Sequence, residues 1–237
     1  MDNTVATAYL VKPLSLGADI VVNSTSKYIN ANSSAISGVI TDGGKFKWDT
    51  EKYPGMKDFK KFGPFAYTAK LRNGLFRNTG ACLSPQNAFY NSIGMETLGL
   101  RMERVCDNAK TLAQFFATEY SDIEVNYPGL AGSKWHDIAT EQFGDKFGGI
   151  ITIRTGNKKR AFGIIDALKL PLIVSNIGDT KTLVIHPEST LNVHSTQEEK
   201  ETAGVFDDLI RISVGIEDID DLIDDFKQAI ESVKDVY

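Results

Sequence analysis

The chain has 237 residues, of which 42% are hydrophobic and 24% charged, close to the averages of globular proteins, which excludes disorder, collagen-like repeats and coiled coil. This length suits one large domain or two small ones, and a core can form without disulfides or metals. The 26 basic and 31 acidic residues give a net charge of −5, which argues against nucleic acid as the main partner because counterion release needs a basic surface.

The cysteines and the hydropathy pattern indicate a protein that functions in a reducing compartment and has no membrane-spanning helix. Cys82 and Cys106 match no metal-binding spacing, so we expect two ordinary buried thiols. No apolar run approaches the roughly 18 residues of a membrane helix. The first residues have neither the basic nor the apolar region of a signal peptide. We therefore expect a cytoplasmic protein without a membrane partner.

The first part of the chain alternates short apolar runs with turn signals. A short helix is predicted over residues 8–16, because Gly17 can end it with a positive φ. The apolar run over residues 18–22 predicts a buried parallel strand, and residues 38–41 predict a second buried strand. The polar and aromatic residues 45–64 predict irregular surface structure.

A long helical pattern begins at Ser84. An N-cap serine followed by Pro85 is typical of a helix start, and the pattern continues to about residue 118 with a bend near Gly94 and Gly99. Residues three and four positions apart form one apolar face, which we assign to the core: Met102, Cys106, Ala109, Leu112 and Phe116.

The remaining residues predict a smaller α+β unit. Strands are expected over residues 123–127, 149–154, 183–186 and 209–214, and helices over residues 160–170 and 218–236. Residues 1–83 then form part of a first domain, residues 84–118 a connecting helix, and residues 119–237 a second domain. Two strands are too few for a covered sheet, so we expect the chain to be the C-terminal part of a longer protein, or to be completed by a partner chain.

The sharpest chemical signal is the run Ser24-Thr25-Ser26-Lys27-Tyr28 directly after the first strand. A lysine at the carboxyl end of a parallel strand lies where open α/β sheets bind ligands, and nearby hydroxyls can contact a phosphate. By itself this pattern is more often an ordinary loop lysine. The serine-lysine spacing also occurs in penicillin-binding enzymes, but their Ser-Asp-Asn and Lys-Thr-Gly partners are absent from this sequence.

Asp2 strengthens the functional interpretation of Lys27. It precedes the helix that leads into the Lys27 strand, and a right-handed strand-helix-strand unit brings both strand ends to one sheet edge. A carboxylate for the ring nitrogen and a Schiff-base lysine together are typical of pyridoxal phosphate sites.

Several stretches resemble the pyridoxal-phosphate enzymes of cysteine and methionine metabolism, in the family's own order. They are DNTVATAYLVKPLSLGADIVVNSTSKYI, LSPQNAFYNSIGMETLGLRMERVCDNA, NYPGL, and NIGDTKTLVIHPEST to IRISVGIEDIDDLIDDF. The run over residues 176–183 most resembles the O-acetylhomoserine sulfhydrylases, which make homocysteine. The resemblance implies a fold-type I, α/β transferase-like architecture. Its large-domain sheet is mostly parallel and incomplete here, and a small α+β C-terminal domain follows it.

The resemblance also implies roles for residues of the first domain, which we expect to be the C-terminal part of the large cofactor-binding domain. Lys27 matches the lysine that binds pyridoxal 5'-phosphate covalently. Asp2 matches the carboxylate paired with the pyridine nitrogen, and Thr4 the hydroxyl residue beside the ring. Ser24 and Ser26 match positions that contact the cofactor phosphate.

Two residues of the second domain match substrate-binding positions. Arg211 matches the arginine that binds the substrate α-carboxylate, and Asn176 matches a position that orients that carboxylate. Without the resemblance, a surface ion pair between Arg211 and the acidic residues after Ile216 would be the preferred explanation. The three histidines lack the spacing of a metal site, so we expect none.

The sequence also departs from the family. Residues 30–33 are Asn-Ala-Asn-Ser where many members have Gly-Gly-His-Gly, and Asn192 stands where the family usually has a second histidine. The family's N-terminal half has no counterpart in this sequence. Two hypotheses follow. One is a sulfhydrylase using an amino-acid substrate with sulfide or a thiol, homo-oligomeric and tetrameric like full-length relatives; the other is an inactive fragment that serves as an interaction partner.

Overall fold

The computed structural model describes residues 1–234. The chain divides into two compact units, Met1–Glu96 and Thr97–Tyr237. Within the described part of the chain, no helix combines the length and the apolar character needed to cross a membrane.

The first unit begins with two short helical turns that lead into strand β1. Helix α1 (Thr7–Leu10) is followed by a 3-10 helix (Pro13–Leu16) and then by β1 (Ile20–Ser24). The single helix predicted over residues 8–16 is therefore wrong, because a proline disfavours the α conformation in the residue before it. Gly17 ends the second turn with a φ of 100°, as predicted.

Strand β2 (Gly38–Asp42) pairs with β1 in antiparallel orientation. Parallel pairing in the described residues of this unit occurs at the bridge between Asp2 and Val22. The prediction that both strands are fully buried is wrong, since Val22 of β1 and Val39 and Ile40 of β2 are each 40% exposed. The unit therefore presents an apolar sheet surface.

Residues 54–79 are helical apart from a kink at Gly63, which has a φ of 55°, so the prediction of irregular structure is wrong from Pro54 onward. A 3-10 segment (Pro54–Phe65) leads into α2 (Ala66–Lys70), a π-helical segment (Leu71–Phe76) and α3 (Arg77–Thr79). Aromatic side chains support this region, because Trp48 stacks on Tyr67 with ring centroids 5.7 Å apart. Such contacts join residues that are distant in the sequence.

The long helical pattern forms two helices, α4 (Pro85–Glu96) and α5 (Leu98–Glu119). The Ser84 hydroxyl accepts a hydrogen bond from the N–H of Asn87 at 3.1 Å, which confirms the predicted N-cap. The five apolar residues predicted for the core face of α5 are each at most 2% exposed. They include Cys106; Cys82, in contrast, is exposed, so its predicted burial is wrong.

The second unit contains a mixed five-stranded sheet with the order β3-β4-β7-β6-β5. All neighbouring pairs are antiparallel except β5 and β6. The four predicted strands are confirmed, whereas β5 was not predicted because two residues carry no periodic signal. The strands are β3 (Glu124–Asn126), β4 (Ile150–Arg154), β5 (Leu172–Ile173), β6 (Leu183–Ile185) and β7 (Leu209–Ser213).

Helices pack with this sheet into one core. Residues of α5, α7 (Lys158–Ala167) and α9 (Ile219–Ser232) join those of β4 and β7. The rings of Phe116 and Phe226 meet edge-to-face at 5.2 Å. The predicted end of the last helix, at residue 236, lies outside the described residues. Two further helices of this part are α6 (His136–Phe143) and α8 (Gln197–Thr202).

Candidate functional site

Lys27 lies in a turn that follows β1 directly. β1 ends at Ser24. The N–H of Asn30 donates to the carbonyl of Thr25, and the N–H of Ala31 to the carbonyl of Lys27, both at 3.0 Å. These bonds hold the half-buried Lys27 near the carboxyl end of β1.

Asp2 and Thr4 lie beside the same strand. The Thr4 N–H donates to Asp2 Oδ1 at 2.9 Å, and Thr4 Oγ1 accepts from the N–H of Ser24 at 2.8 Å. Hydrogen bonds from the Thr4 side chain and then from its backbone hold the pKa of Asp2 below its usual value. An ionised carboxylate is therefore fixed beside the strand that leads to Lys27.

The hydroxyl of Ser26 is engaged by Ser37. Ser26 Oγ donates to the Ser37 carbonyl at 3.1 Å and accepts from the Ser37 N–H at 2.8 Å. Because a serine hydroxyl has one proton, Ser26 can donate to a phosphate only after leaving this carbonyl. Ser24 and Ser26 thus share the Lys27 turn, but Ser26 is already bound within it.

In the second unit, Arg211 and Asn176 are in direct contact. Arg211 is the middle residue of β7, paired with Thr152 of β4 and Ile185 of β6. Its Nη2 donates to the carbonyl oxygen of Asn176 at 3.1 Å. The structure thus brings together the two residues that the resemblance associates with the substrate carboxylate.

Glu217 organises the loop near these residues, a role that the sequence interpretation missed. The Thr182 N–H donates to Glu217 Oε1 at 2.5 Å and the Thr182 hydroxyl to Oε2 at 2.9 Å. The Thr182 hydroxyl also accepts from the Gly215 N–H at 2.9 Å. A Cβ at Gly215 would collide with the Thr180 carbonyl and the Glu217 carboxylate. The glycine two positions before Glu217 was the sequence signal for this close approach.

Two histidines have structural partners. His186 contacts Ser189 Oγ at 2.9 Å through Nδ1 and the Asp207 carbonyl at 2.7 Å through Nε2. His136 Nδ1 lies 2.9 Å from the carbonyl of Pro128. Across residues 1–234, no group of three or more His, Cys, Asp or Glu side chains is arranged to hold a metal ion.

The sequence of this chain, with Lys27 after β1 and Arg211 in β7, matches a known protein family. The model of the Cys/Met metabolism PLP-dependent enzymes matches residues 1–231. The chain belongs to this family. The family's description confirms the predicted cofactor class, pyridoxal 5'-phosphate.

Individual relatives agree with this assignment. An O-acetyl-L-homoserine sulfhydrylase from Corynebacterium glutamicum is 40% identical over 250 residues, covering 98% of this chain and 57% of the relative. An L-methionine gamma-lyase from Fusobacterium nucleatum subsp. polymorphum is 38% identical over 234 residues, covering 98% and 54%. This chain therefore spans little more than half the length of these curated relatives.

A solved structure confirms the predicted fold class. A putative O-acetylhomoserine (thiol)-lyase from Campylobacter jejuni is similar with a TM-score of 0.90 and 35% identity, covering 97% of this chain and 58% of that one. That structure contains N'-pyridoxyl-lysine-5'-monophosphate. The fold of this family member is thus an α/β pyridoxal-phosphate enzyme fold.

Proposed function

We propose that this chain carries the lysine and the substrate-binding arginine of a pyridoxal-phosphate enzyme that converts O-acetylhomoserine and sulfide, or a close thiol, into homocysteine and acetate. The position of Lys27 after β1, in the same unit as the ionised carboxylate of Asp2, carries this proposal. Family membership and 40% identity to an O-acetyl-L-homoserine sulfhydrylase support it. Sulfide replaces acetate at Cγ of the substrate.

The residues around Lys27 fit pyridoxal phosphate, which when bound withdraws electrons from the substrate Cα. Asp2 would keep the ring nitrogen protonated. A carboxylate beside that nitrogen would favour its protonated form, because opposite charges attract. Thr4 keeps the pKa of Asp2 low and bonds to Ser24 as well, so it joins the carboxylate to β1. The Ser24 hydroxyl would contact the phosphate. The Ser26 hydroxyl would turn its proton from the Ser37 carbonyl to the phosphate, while its oxygen keeps the hydrogen bond from the Ser37 N–H.

Lys27 would move the proton at the substrate Cα. A positioned amine acting as a general base accelerates such a step by about 10²–10⁴-fold. The turn after β1 limits where this amine can reach, because its backbone is fixed by hydrogen bonds. The Lys27 N–H donates to the Ser24 carbonyl, and the Lys27 carbonyl accepts from the Ala31 N–H.

Arg211 would bind the substrate α-carboxylate. A guanidinium has five N–H donors in a planar fork that matches a carboxylate. One of them is directed to the Asn176 carbonyl at 3.1 Å, which limits rotation of the side chain. A lysine at this position would lose the two-point contact.

A γ-elimination of methionine is the second candidate reaction. The L-methionine gamma-lyase is 38% identical to this chain, close to the 40% of the sulfhydrylase. Both reactions would use the same lysine, carboxylate and arginine, so the substrate consumed distinguishes them.

Borohydride reduction tests the cofactor lysine. The chain is incubated with pyridoxal phosphate, reduced and digested, and the modified peptide is identified by mass. Lys27→Ala should abolish this modification, whereas the exposed Lys45→Ala control should retain it. Equal modification in both variants contradicts the role of Lys27.

Product analysis tests the reaction. When this chain is coexpressed with a chain that supplies the family's N-terminal half, O-acetylhomoserine with sulfide should give homocysteine, and methionine should remain unchanged. Consumption of methionine alone would replace the first candidate with the second. A modified Lys27 without turnover of either substrate would contradict both and support the non-catalytic hypothesis.

A further inference from the structure

Ser37 is a hydrogen-bonding centre for the turn that contains Lys27. Its carbonyl accepts from the N–H of Thr25 and from the hydroxyl of Ser26, each at 3.1 Å. Its N–H donates to Ser26 Oγ at 2.8 Å, and its own hydroxyl accepts from Thr25 Oγ1 at 2.6 Å. The two residues immediately before Lys27 are therefore both bound to one residue on the far side of the loop.

Asn91 of α4 completes this arrangement from a different element. Its Nδ2 donates to Ser37 Oγ at 2.8 Å and lies 3.4 Å from Thr25 Oγ1. Its Oδ1 accepts from Nδ2 of Asn30 at 3.5 Å. Asn91 is 9% exposed and Asn30 3% exposed, so these amides are removed from water and depend on one another for hydrogen bonds.

The backbone of α4 also lies against the end of the same turn. A Cβ added at Gly94 would collide with the carbonyl oxygens of Ile29 and Asn30. The close approach places Asn91, one helical turn earlier, within reach of the loop. The helix thus contacts the turn through a backbone surface and through a buried amide.

A leucine of similar size at position 91 would avoid the cost of burying an amide. A buried polar group is costly unless its hydrogen bonds are complete, and complete networks specify one geometry. The side-chain pair of Asn91 and Ser37 holds the hydroxyl of Thr25. The backbone of Ser37 holds Ser26, the residue before Lys27. These contacts therefore fix the direction of the backbone from Ser26 to the next residue, Lys27.

We propose that Ser37 and Asn91 are positioning residues that set the conformation of the Lys27 turn and thereby the approach of the lysine amine to the cofactor. This inference rests on the proposed function, in which Lys27 binds pyridoxal phosphate. Neither residue touches the cofactor in this role, because both act through Thr25 and Ser26.

The test compares variants by the pyridoxal phosphate concentration that gives half-maximal borohydride-fixed modification of Lys27, and by the pH profile of that modification. Ser37→Ala loses the hydroxyl bonds to Thr25 and Asn91 but keeps its backbone bonds to Ser26. Ser37→Ala and Asn91→Leu should each raise the half-maximal concentration by roughly fivefold to tenfold, within the net effect of one or two lost hydrogen bonds. Their pH profiles should shift relative to the unmutated chain. Ser37→Thr keeps the hydroxyl and should restore both values.

Ser92→Ala is the matched control. Ser92 follows Asn91 on α4, is exposed, and bonds to the Ala88 carbonyl of its own helix. The double variant Ser37→Ala/Asn91→Leu should be about as impaired as the worse single variant, because residues of one network are not additive. If Asn91→Leu does not fold, Ser37→Ala and Ser37→Thr carry the comparison.

The outcomes separate the two proposals. If Lys27 is modified normally in Ser37→Ala and Asn91→Leu, with the pH profile of the Ser92→Ala control, the positioning role is wrong and the proposed function stands. If Ser37→Thr is as impaired as Ser37→Ala, the hydroxyl is not what positions the turn, and the inference is again wrong. If Lys27 of the unmutated chain is not modified at any concentration, the proposed function fails and this inference fails with it.

Discussion

Two residues of the loop after Lys27 have backbone conformations that L-amino acids rarely adopt. Ala31 has a φ of 83° and Ser33 a φ of 58°. Both correspond to glycines in the Gly-Gly-His-Gly run that many members of the family have at residues 30–33. The left-handed region costs a residue with a Cβ about 1–2 kcal/mol, and glycine avoids this cost. Glycine at position 31 should therefore remove strain from the loop.

The net effect of Ala31→Gly has three parts. The substitution removes a methyl that is 8% exposed, and losing one buried methyl costs about 0.8 kcal/mol. Greater freedom of the unfolded chain costs about 0.4–1 kcal/mol. The strain relief of about 1–2 kcal/mol offsets both. We expect the free energy of unfolding to change by less than about 0.8 kcal/mol in either direction, given these opposing contributions.

Ala35→Gly is the matched control, because Ala35 is 3% exposed and has no positive φ. It loses a comparable buried methyl and gains the same chain freedom without relief of strain. It should lower the free energy of unfolding by about 1–2 kcal/mol.

Urea unfolding followed by tryptophan fluorescence measures these differences. Trp48 lies in the first unit and Trp135 in the second, so a Trp135→Phe background makes the signal specific to the first unit. The denaturant slopes should be unchanged among variants. If Ala31→Gly destabilises as much as Ala35→Gly, the positive φ at residue 31 stores no strain and the reasoning is refuted.

Two further predictions concern the Glu188 carboxylate and the two thiols of the chain. Hydrogen bonds from Lys158 and Lys200 lower the pKa of Glu188 from 4.5 to about 2. The ionised form therefore stabilises the fold above pH 4.5, and this contribution disappears as pH falls towards 2. Urea unfolding followed by Trp135 should show Glu188→Gln about 1–2 kcal/mol less stable near neutral pH, with a gap that closes on acidification; a gap independent of pH contradicts this. Burial raises the pKa of the Cys106 thiol from 9.0 to about 11, so iodoacetamide at mildly alkaline pH should modify exposed Cys82 and spare Cys106 until urea is added. Equal modification of both thiols in the native protein would contradict the predicted protection of Cys106.

Local signals in the sequence predicted many elements correctly. Ser84 caps α4, and the apolar positions of α5 form its buried face. Caps and periodicity act over one or two helical turns, so neighbouring residues contain the information. The ordered run of family motifs likewise predicted the family and the fold class, and it directed attention to Lys27 and Arg211. The roles of these two residues stay predictions.

Tertiary structure decided which distant residues support these positions. The bond between Asn91 and Ser37 joins residues 54 positions apart, and that between Thr182 and Glu217 residues 35 apart. Neither pair has a local pattern, because each forms only where the topology brings a helix or a loop against another segment. The positive φ of Ala31 is of the same kind. An alanine does not favour that conformation by itself, so the surrounding contacts impose it.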